Sequence, residues 1–449
     1  MEKQIRLLSQ YIYFVMMKQL SYFIFSFLLL AMFNSNAQPI AVPVYKGALK
    51  ANREKTYSYI VNTSIIKNLS LALTDDTEAD WQDAFYAMEL IRYKQPWVNQ
   101  KIKIAFDDIE NRSAGFKRAL MELVYANYTW EFKTPINNLF LNTNNAKIFA
   151  MCAEYLLRAD KSLANINKTG SIIYNKKAEN FDNPATASYI LYELLWPIMQ
   201  KAEKESNKVK LKLNLLLQKD YLKHHTVVYS FQRKNRNYPG LVIIKDTNGN
   251  FITDDKNIIF SVPQLARSIN NLPGYLTNGN TPQGIFRMYG FGTSKIDAIG
   301  TTENLQLTMP LETDVQHFLK DSSITDSVWT PELYQQLLPK ALQKYHPLFQ
   351  SYYASAIGRT EIIAHGTTLD VNYYNGQPYY PHTPSMGCLC TKEIWSAVDG
   401  KRTTSDQQKL VDAVKKAGGA NGYVIVIEID DQQKPVSINE ILPYLKKNK

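Results

Sequence analysis

Two cysteines stand one residue apart in this chain, Cys388 and Cys390, and only one other, Cys152, occurs in 449 residues. So few thiols, in odd number, build no disulfide scaffold and instead flag a reactive group. A thiol attacks only as thiolate, so it needs a base and a donor-rich backbone beside it. His365-Gly366 offers the base, with a glycine that permits close approach of backbone or substrate. Ser385-Met386-Gly387-Cys388 offers the backbone: the amides of Gly387 and Cys388 can point at a developing oxyanion, and Ser385 can orient the imidazole or bond the substrate. Taken alone, the pair fits an inert core thiol and a turn histidine better than a catalytic site, because free cysteine is usually buried. A zinc site is the competing chemistry, since His365, His382, Cys388 and Cys390 are all ligand types that zinc prefers. Cys-x-Cys is shorter than the usual ligand gap and no second close pair exists, so no metal and no cofactor is expected. His224, His225, His317 and His346 have no catalytic-type neighbour in sequence and read as surface or packing residues.

Further along the same half of the chain, Thr281-Pro282-Gln283-Gly284-Ile285-Phe286 forms a tight-turn signature. Together with His365-Gly366 and Ser385-Met386-Gly387-Cys388, in that order, it resembles the T-P-x-G-x-F, H-G and S-H-G-C elements of L,D-transpeptidase (YkuD-type) domains. The resemblance spans about Tyr238 to Ile429 and leaves the N-terminal half outside it. It implies a mostly β, barrel-like fold and a two-step acyl transfer on peptidoglycan. Cys388 would attack the diamino-acid carbonyl of a tetrapeptide stem and expel the terminal D-Ala, with His365 taking the thiol proton and later deprotonating the acceptor amine. Gly387, Ser385, Gly366 and Met386 would form the oxyanion and substrate-binding surroundings. With water as acceptor the same site is an L,D-carboxypeptidase, and without turnover it is a peptidoglycan-binding scaffold. Three features depart from the pattern: Met386 replaces a histidine, Cys390 stands where Asn or Arg is usual, and the loop between His365 and Cys388 is long. That loop carries Tyr373, Tyr374, Tyr379 and Tyr380, which fit a substrate platform or a packed cover equally well.

The elements that must position these groups follow a multidomain α + β plan. Residues 1–37 read as a secretory signal peptide: Lys18 flanks an apolar run from Leu20 to Phe33, and Ser35-Asn36-Ala37 is a small-residue cleavage site. The run is shorter than the roughly 20 residues that span a bilayer, so a periplasmic or cell-envelope location is expected. Residues 38–230 read as an α-helical, repeat-like domain. Met88-Glu89-Leu90 with Trp97 recurs 33 residues later as Met121-Glu122-Leu123 with Trp130, and Glu154-Tyr155-Leu156 and Glu193-Leu194-Leu195 echo the triplet. Such a period fits stacked helical hairpins with the tryptophans packed between repeats. Lys204 to Lys219 reads as a bridging helix.

Residues 238–449 read as the catalytic domain. Strands are expected at Leu241 to Ile244, Ile258 to Val262, Leu305 to Met309, Thr360 to Ala364 and Tyr423 to Ile429, with a hairpin turn at Asp246-Thr247-Asn248-Gly249-Asn250. A helical insertion covers about 314–355, opened by Thr330-Pro331, and Ser405 with Gln408 caps a helix to Lys416. Lys and Arg exceed Asp and Glu by 51 to 41 without Arg-rich runs, so no nucleic-acid partner is expected, and the balance suits an anionic wall polymer. Peptidoglycan stem peptides are the expected ligand, with a cell-wall protein as a further partner for the helical region.

Overall fold

Alternate helices of the N-terminal half carry the repeated glutamates on their buried faces. The computed structural model describes residues 42–202 and 209–446, so the expected signal peptide and Lys204 to Lys208 lie outside the described residues. Helix α1 (Lys50–Tyr59) continues through a π-helical stretch, Ile60–Lys67, to Ser70. Then come α2 (Glu78–Leu90), α3 (Pro96–Asp107), α4 (Ala114–Asn127), α5 (Lys133–Asn142), α6 (Ala146–Ala159), α7 (Leu163–Asn175) and α8 (Pro184–Ala202). Ser113, Asn145 and Ser162 cap α4, α6 and α7 by accepting the amide three residues on, and Pro96 opens α3 where a missing N–H costs nothing. Helices α2, α4, α6 and α8 touch in that order, and they bear Glu89, Glu122, Glu154 and Glu193 respectively. None of these helices is long and apolar enough to cross a membrane.

The tryptophans correct the expected packing. Trp97, in the first turn of α3, is 36% exposed and Trp130, between α4 and α5, is 64% exposed, while Phe106, Tyr128 and Phe132 fill the space between the helices. The spacing of the tryptophans was legible in the sequence, but the direction of their side chains was not.

The buried glutamates carry a pH consequence. Desolvation raises Glu122 and Glu154 from the ordinary 4.5 to about 7, against the pull of Arg118 and Asn278 on the first and of Tyr275 and Arg158 on the second. It raises Glu89 too, with Glu122 adding to the effect. A carboxyl whose folded pKa lies above its unfolded value contributes stability that is fully present below the unfolded pKa and lost as pH rises through the folded one. The denaturant midpoint is therefore expected to fall between pH 5 and pH 8, by less in a Glu122→Gln/Glu154→Gln protein that keeps acceptors of the same shape. An equal fall in both proteins would exclude these carboxyls as its source.

After the helices, the expected Lys-rich helix shrinks to α9 (Leu213–Leu216), with Lys210 and Lys212 in irregular chain ahead of it. Alternation of lysine and leucine has a period of two, so one short turn suffices to bury Leu213, Leu216 and Leu217. An 8-stranded mixed sheet follows. Its strands are β1 (Val227–Arg233), β2 (Gly240–Lys245), β3 (Val262–Gln264), β4 (Gly284–Gly292), β5 (Asn304–Thr308), β6 (Ile363–His365), β7 (Leu389–Cys390) and, after a separate hairpin of β8 (Glu393–Trp395) and β9 (Arg402–Ser405), β10 (Tyr423–Asp430). The order is β3-β2-β1-β10-β4-β5-β6-β7, with β1–β10 and β6–β7 parallel and the other pairs antiparallel. Beyond β3, Leu265 exchanges two 2.8 Å hydrogen bonds with Cys390, so the two edges of the sheet nearly close on each other.

Strand residues alternate between two apolar clusters. Val227, Tyr229, Phe231, Ile425 and Ile427 face one; Val228, Val424, Val426, Phe286, Ala364 and Leu389 face the other. Burial on both sides explains why β2 and β10 read as unbroken apolar runs. The segment after β5 is broken into short helical pieces, α10 (Val315–Leu319), α11 (Pro331–Tyr334) and α12 (Gln350–Ala356), with Thr330 capping α11. Ser405 caps α13 (Asp406–Lys416) by accepting from the Gln408 amide at 2.8 Å, and α14 (Ile438–Lys446) ends the described chain. Strand β1 begins before the Tyr238 boundary, and the strand expected at Ile258 to Val262 forms later, as β3. Helices and sheet share one compact unit, Val44–Lys449, and Leu272, Tyr275, Leu276 and Ile357 pack into the helical core.

Candidate active site

The parallel pair β6–β7 brings the candidate base and nucleophile together. Its register aligns Ala364 with Leu389 and His365 with Cys390, which sets Cys388 level with Ile363. Ala364 and Leu389 share an apolar cluster on one face. By the alternation of strands, His365 and Cys390 project to the other. His365 and Cys388 are therefore diagonal across the pair, Cys388 being the residue just before β7. Direct hydrogen bonds of the thiol go elsewhere: Ile363 N–H donates to Cys388 Sγ at 3.5 Å, and Sγ–H faces the Glu361 carbonyl at 3.6 Å.

His365 is buried, and its Nδ1 lies 2.5 Å from the Gly366 carbonyl oxygen. A carbonyl only accepts, so Nδ1 carries the proton and the lone pair is on Nε2. Burial lowers the imidazole from its ordinary 6.5, with the Gly366 bond pulling the other way, which keeps the ring a neutral base at neutral pH. The absence of a side chain at Gly366 is required by Glu393, whose carboxylate oxygen would lie 2.2 Å from a Cβ there. Glu393 is itself held by Thr302 at 2.6 Å, Ser405 at 2.5 Å and the Thr367 amide at 3.2 Å.

Of the two thiols, Cys390 stands in register with His365, but it is 1% exposed and burial pushes it up to about 12. That environment makes an inert thiol. Cys388 is half-buried; burial raises it above its ordinary 9.0, while Ile363 N–H and the Arg359 guanidinium pull it down. Access and donors together favour Cys388. Cys152 lies in α6, fully buried and far up from its ordinary value.

No family model, curated protein or solved structure matches this chain. The site's chemistry is therefore read from its own geometry.

The loop before Cys388 differs from the sequence expectation at one donor. Gly387 N–H is not directed outward: it donates to Ser385 Oγ at 3.1 Å, while Ser385 Oγ–H donates to the Cys388 carbonyl at 2.8 Å. Ser385 thus shapes the loop rather than orienting the imidazole. Met386 is 44% exposed at the rim. In the tyrosine-rich loop, Tyr374 and Tyr379 are buried against Leu265 while Tyr380 is exposed, so the loop is packed cover with one tyrosine outward. His382 bonds the Tyr379 carbonyl through Nδ1 at 3.2 Å, and among the described residues no three His, Cys, Asp or Glu side chains converge as metal ligands. His346 is a packing histidine, its ring tilted against Trp196 at 4.0 Å between centroids and its Nε2 3.0 Å from Glu193.

Two contributors were missed in the sequence. Thr281 Oγ1 donates to the Gly387 carbonyl at 2.8 Å, which gives the Thr-Pro turn a direct hold on the nucleophile loop. Arg359, 5% exposed, reaches the same carbonyl at 3.4 Å. Thr281 was legible as part of a motif, though not its partner; Arg359 sits in a polar turn that carries no signal at all.

Proposed function

We propose that this chain is an exported, peptidoglycan-directed L,D-transpeptidase with Cys388 as nucleophile and His365 as base. The carrying observation is one half-buried thiol just ahead of β7 and one tautomer-fixed neutral histidine at the end of its parallel neighbour β6. Cys388 Sγ bonds to the diamino-acid carbonyl carbon of a tetrapeptide stem as its proton passes to His365 Nε2. Collapse of the tetrahedral species breaks the C–N bond, and the imidazolium returns the proton to the departing D-Ala amine. An acceptor amine then gives a proton to His365, attacks the thioester and releases the thiolate, forming the new amide. With Gly387 N–H held by Ser385, the Cys388 amide is the backbone donor for the oxyanion. The helical region, outside the resemblance, would hold the polymer or a wall protein, and the positive balance of the chain suits an anionic wall.

Incubation with tetrapeptide-bearing muropeptides should release D-Ala and add a tripeptidyl mass to the intact protein, mapped to Cys388. Cross-linked dimers would mark transpeptidation, and free tripeptide the carboxypeptidase reaction. A folded protein that neither releases D-Ala nor gains mass would remove the acyltransfer reading.

A further inference from the structure

The glutamate that recurs through the helical region meets a different partner at each position, and the first three partners belong to one segment. Asn278 Nδ2 donates to both oxygens of Glu122 at 3.1 and 3.2 Å, and Tyr275 Oη donates to Glu154 at 2.7 Å, while the charge of Arg267 favours the ionised form of Glu89. Lys147 of α6 adds a 3.3 Å bond to Thr277. Leu272, Tyr275 and Leu276 of the same segment are buried in the helical core. The helices therefore grip residues 267–278 by side chains. The other side of this segment faces the nucleophile. Arg359 donates to the carbonyls of Gly274, Gly279 and Asn280, at 2.5 Å for the last two, and extends to the Gly387 carbonyl.

We infer that Arg359 is a positioning residue for Cys388, and that the helical region sets its placement through the 267–280 segment. A planar guanidinium bound to four carbonyls has a fixed orientation that a lysine ammonium cannot reproduce. Its charge, facing no acceptor but neutral carbonyls at hydrogen-bond range, acts on the thiol one residue beyond Gly387. The Glu361 charge opposes it, and Glu312 shares the guanidinium's field. Shifting the segment moves Arg359, and with it both the geometry and the ionisation of Cys388. The helices on this view are part of the catalytic apparatus as well as a grip for a partner.

This inference rests on Cys388 as nucleophile but not on the peptidoglycan reaction, so it is tested on the thiol itself. The rate of iodoacetamide alkylation, mapped to Cys388 in the full chain, is measured against pH. Removing a cation near a thiol is worth about one pKa unit, so Arg359→Gln should move the midpoint up and slow alkylation at pH 7.5 roughly tenfold, with Arg359→Lys in between. Tyr275→Phe with Asn278→Ala cuts two links to the helices without touching the site, and should raise the midpoint in the same direction. A folded Tyr275→Phe/Asn278→Ala protein with the parent profile overturns the coupling, even if its melting temperature drops. An unchanged Arg359→Gln profile overturns the role of Arg359; if that variant fails to fold, Arg359→Lys carries the same decision. Loss of muropeptide turnover with a normal alkylation profile would strike the proposed function and leave this inference standing.

Discussion

His365→Gln is expected to form acyl-enzyme about 10²- to 10⁴-fold more slowly than the parent at pH 7, the usual cost of losing a general base. Glutamine preserves the size of the ring and a donor for the Gly366 carbonyl, so the strand pair and its register should survive. What it removes is the Nε2 lone pair. The parent should gain rate as the imidazole loses its proton, below the ordinary 6.5 because burial lowers it, and then level off. In the variant, only solvent can ionise a thiol that burial holds above 9.0. Its rate should climb about tenfold per pH unit through pH 9, closing the gap from below. Rates followed by intact mass across pH 6 to 9 decide the matter. A variant within threefold of the parent at pH 7 would show that His365 is not the base and that the diagonal relation of the two residues has no catalytic meaning.

What the sequence disclosed of this arrangement was its local part. Ser405 and Gln408 name a helix start whatever surrounds them, and Leu241 to Ile244 followed by an Asp-Thr-Asn-Gly-Asn turn names a strand and its hairpin, because capping and turn chemistry are short-range. Strand β1 was less visible. It is stabilised by a parallel partner, β10, at the far end of the chain, and long-range pairing leaves no spacing to read. The same distinction runs through the site. His365 and Cys388 could be paired by type and motif, but the fact that Cys390 is the residue in register with His365, and that burial disqualifies it, belongs to the sheet. Gly387 looked like a free oxyanion donor until Ser385, two residues earlier, was seen to take its N–H. Arg359 acquires meaning only when the fold brings four carbonyls around it. The repeated glutamates lie between these cases: their period was legible, and their partners in the 267–278 segment were not.

Gly387→Ala should damage the site more than any other single-methyl change in the loop. Gly387 has φ +110°, a conformation that costs an L-residue on the order of 1–3 kcal/mol. Its missing side chain also leaves room for other groups: a Cβ would lie 2.5 Å from the Gly279 carbonyl oxygen and 1.9 Å from Arg359 Nη2. Neither is the loose end of a flexible chain. The guanidinium is fixed by buried carbonyls, and each such bond that is broken leaves a buried group costing about 1–3 kcal/mol. Strain and collision together should destabilise the protein by roughly 3 kcal/mol or more. Displacing the Gly387 carbonyl also releases its bond from Thr281, so Cys388 acylation should fall by about 10²-fold, the scale of a misplaced reacting group. Gly376→Ala separates the two contributions: φ there is +79° and no atom lies within 4 Å of a Cβ, so it suffers the strain without the collision. Denaturant midpoints and Cys388 alkylation rates for both variants provide the comparison. If Gly387→Ala is no less stable than Gly376→Ala and alkylates at the parent rate, the wall that Arg359 and the 274–280 carbonyls form behind the nucleophile is not a constraint on it.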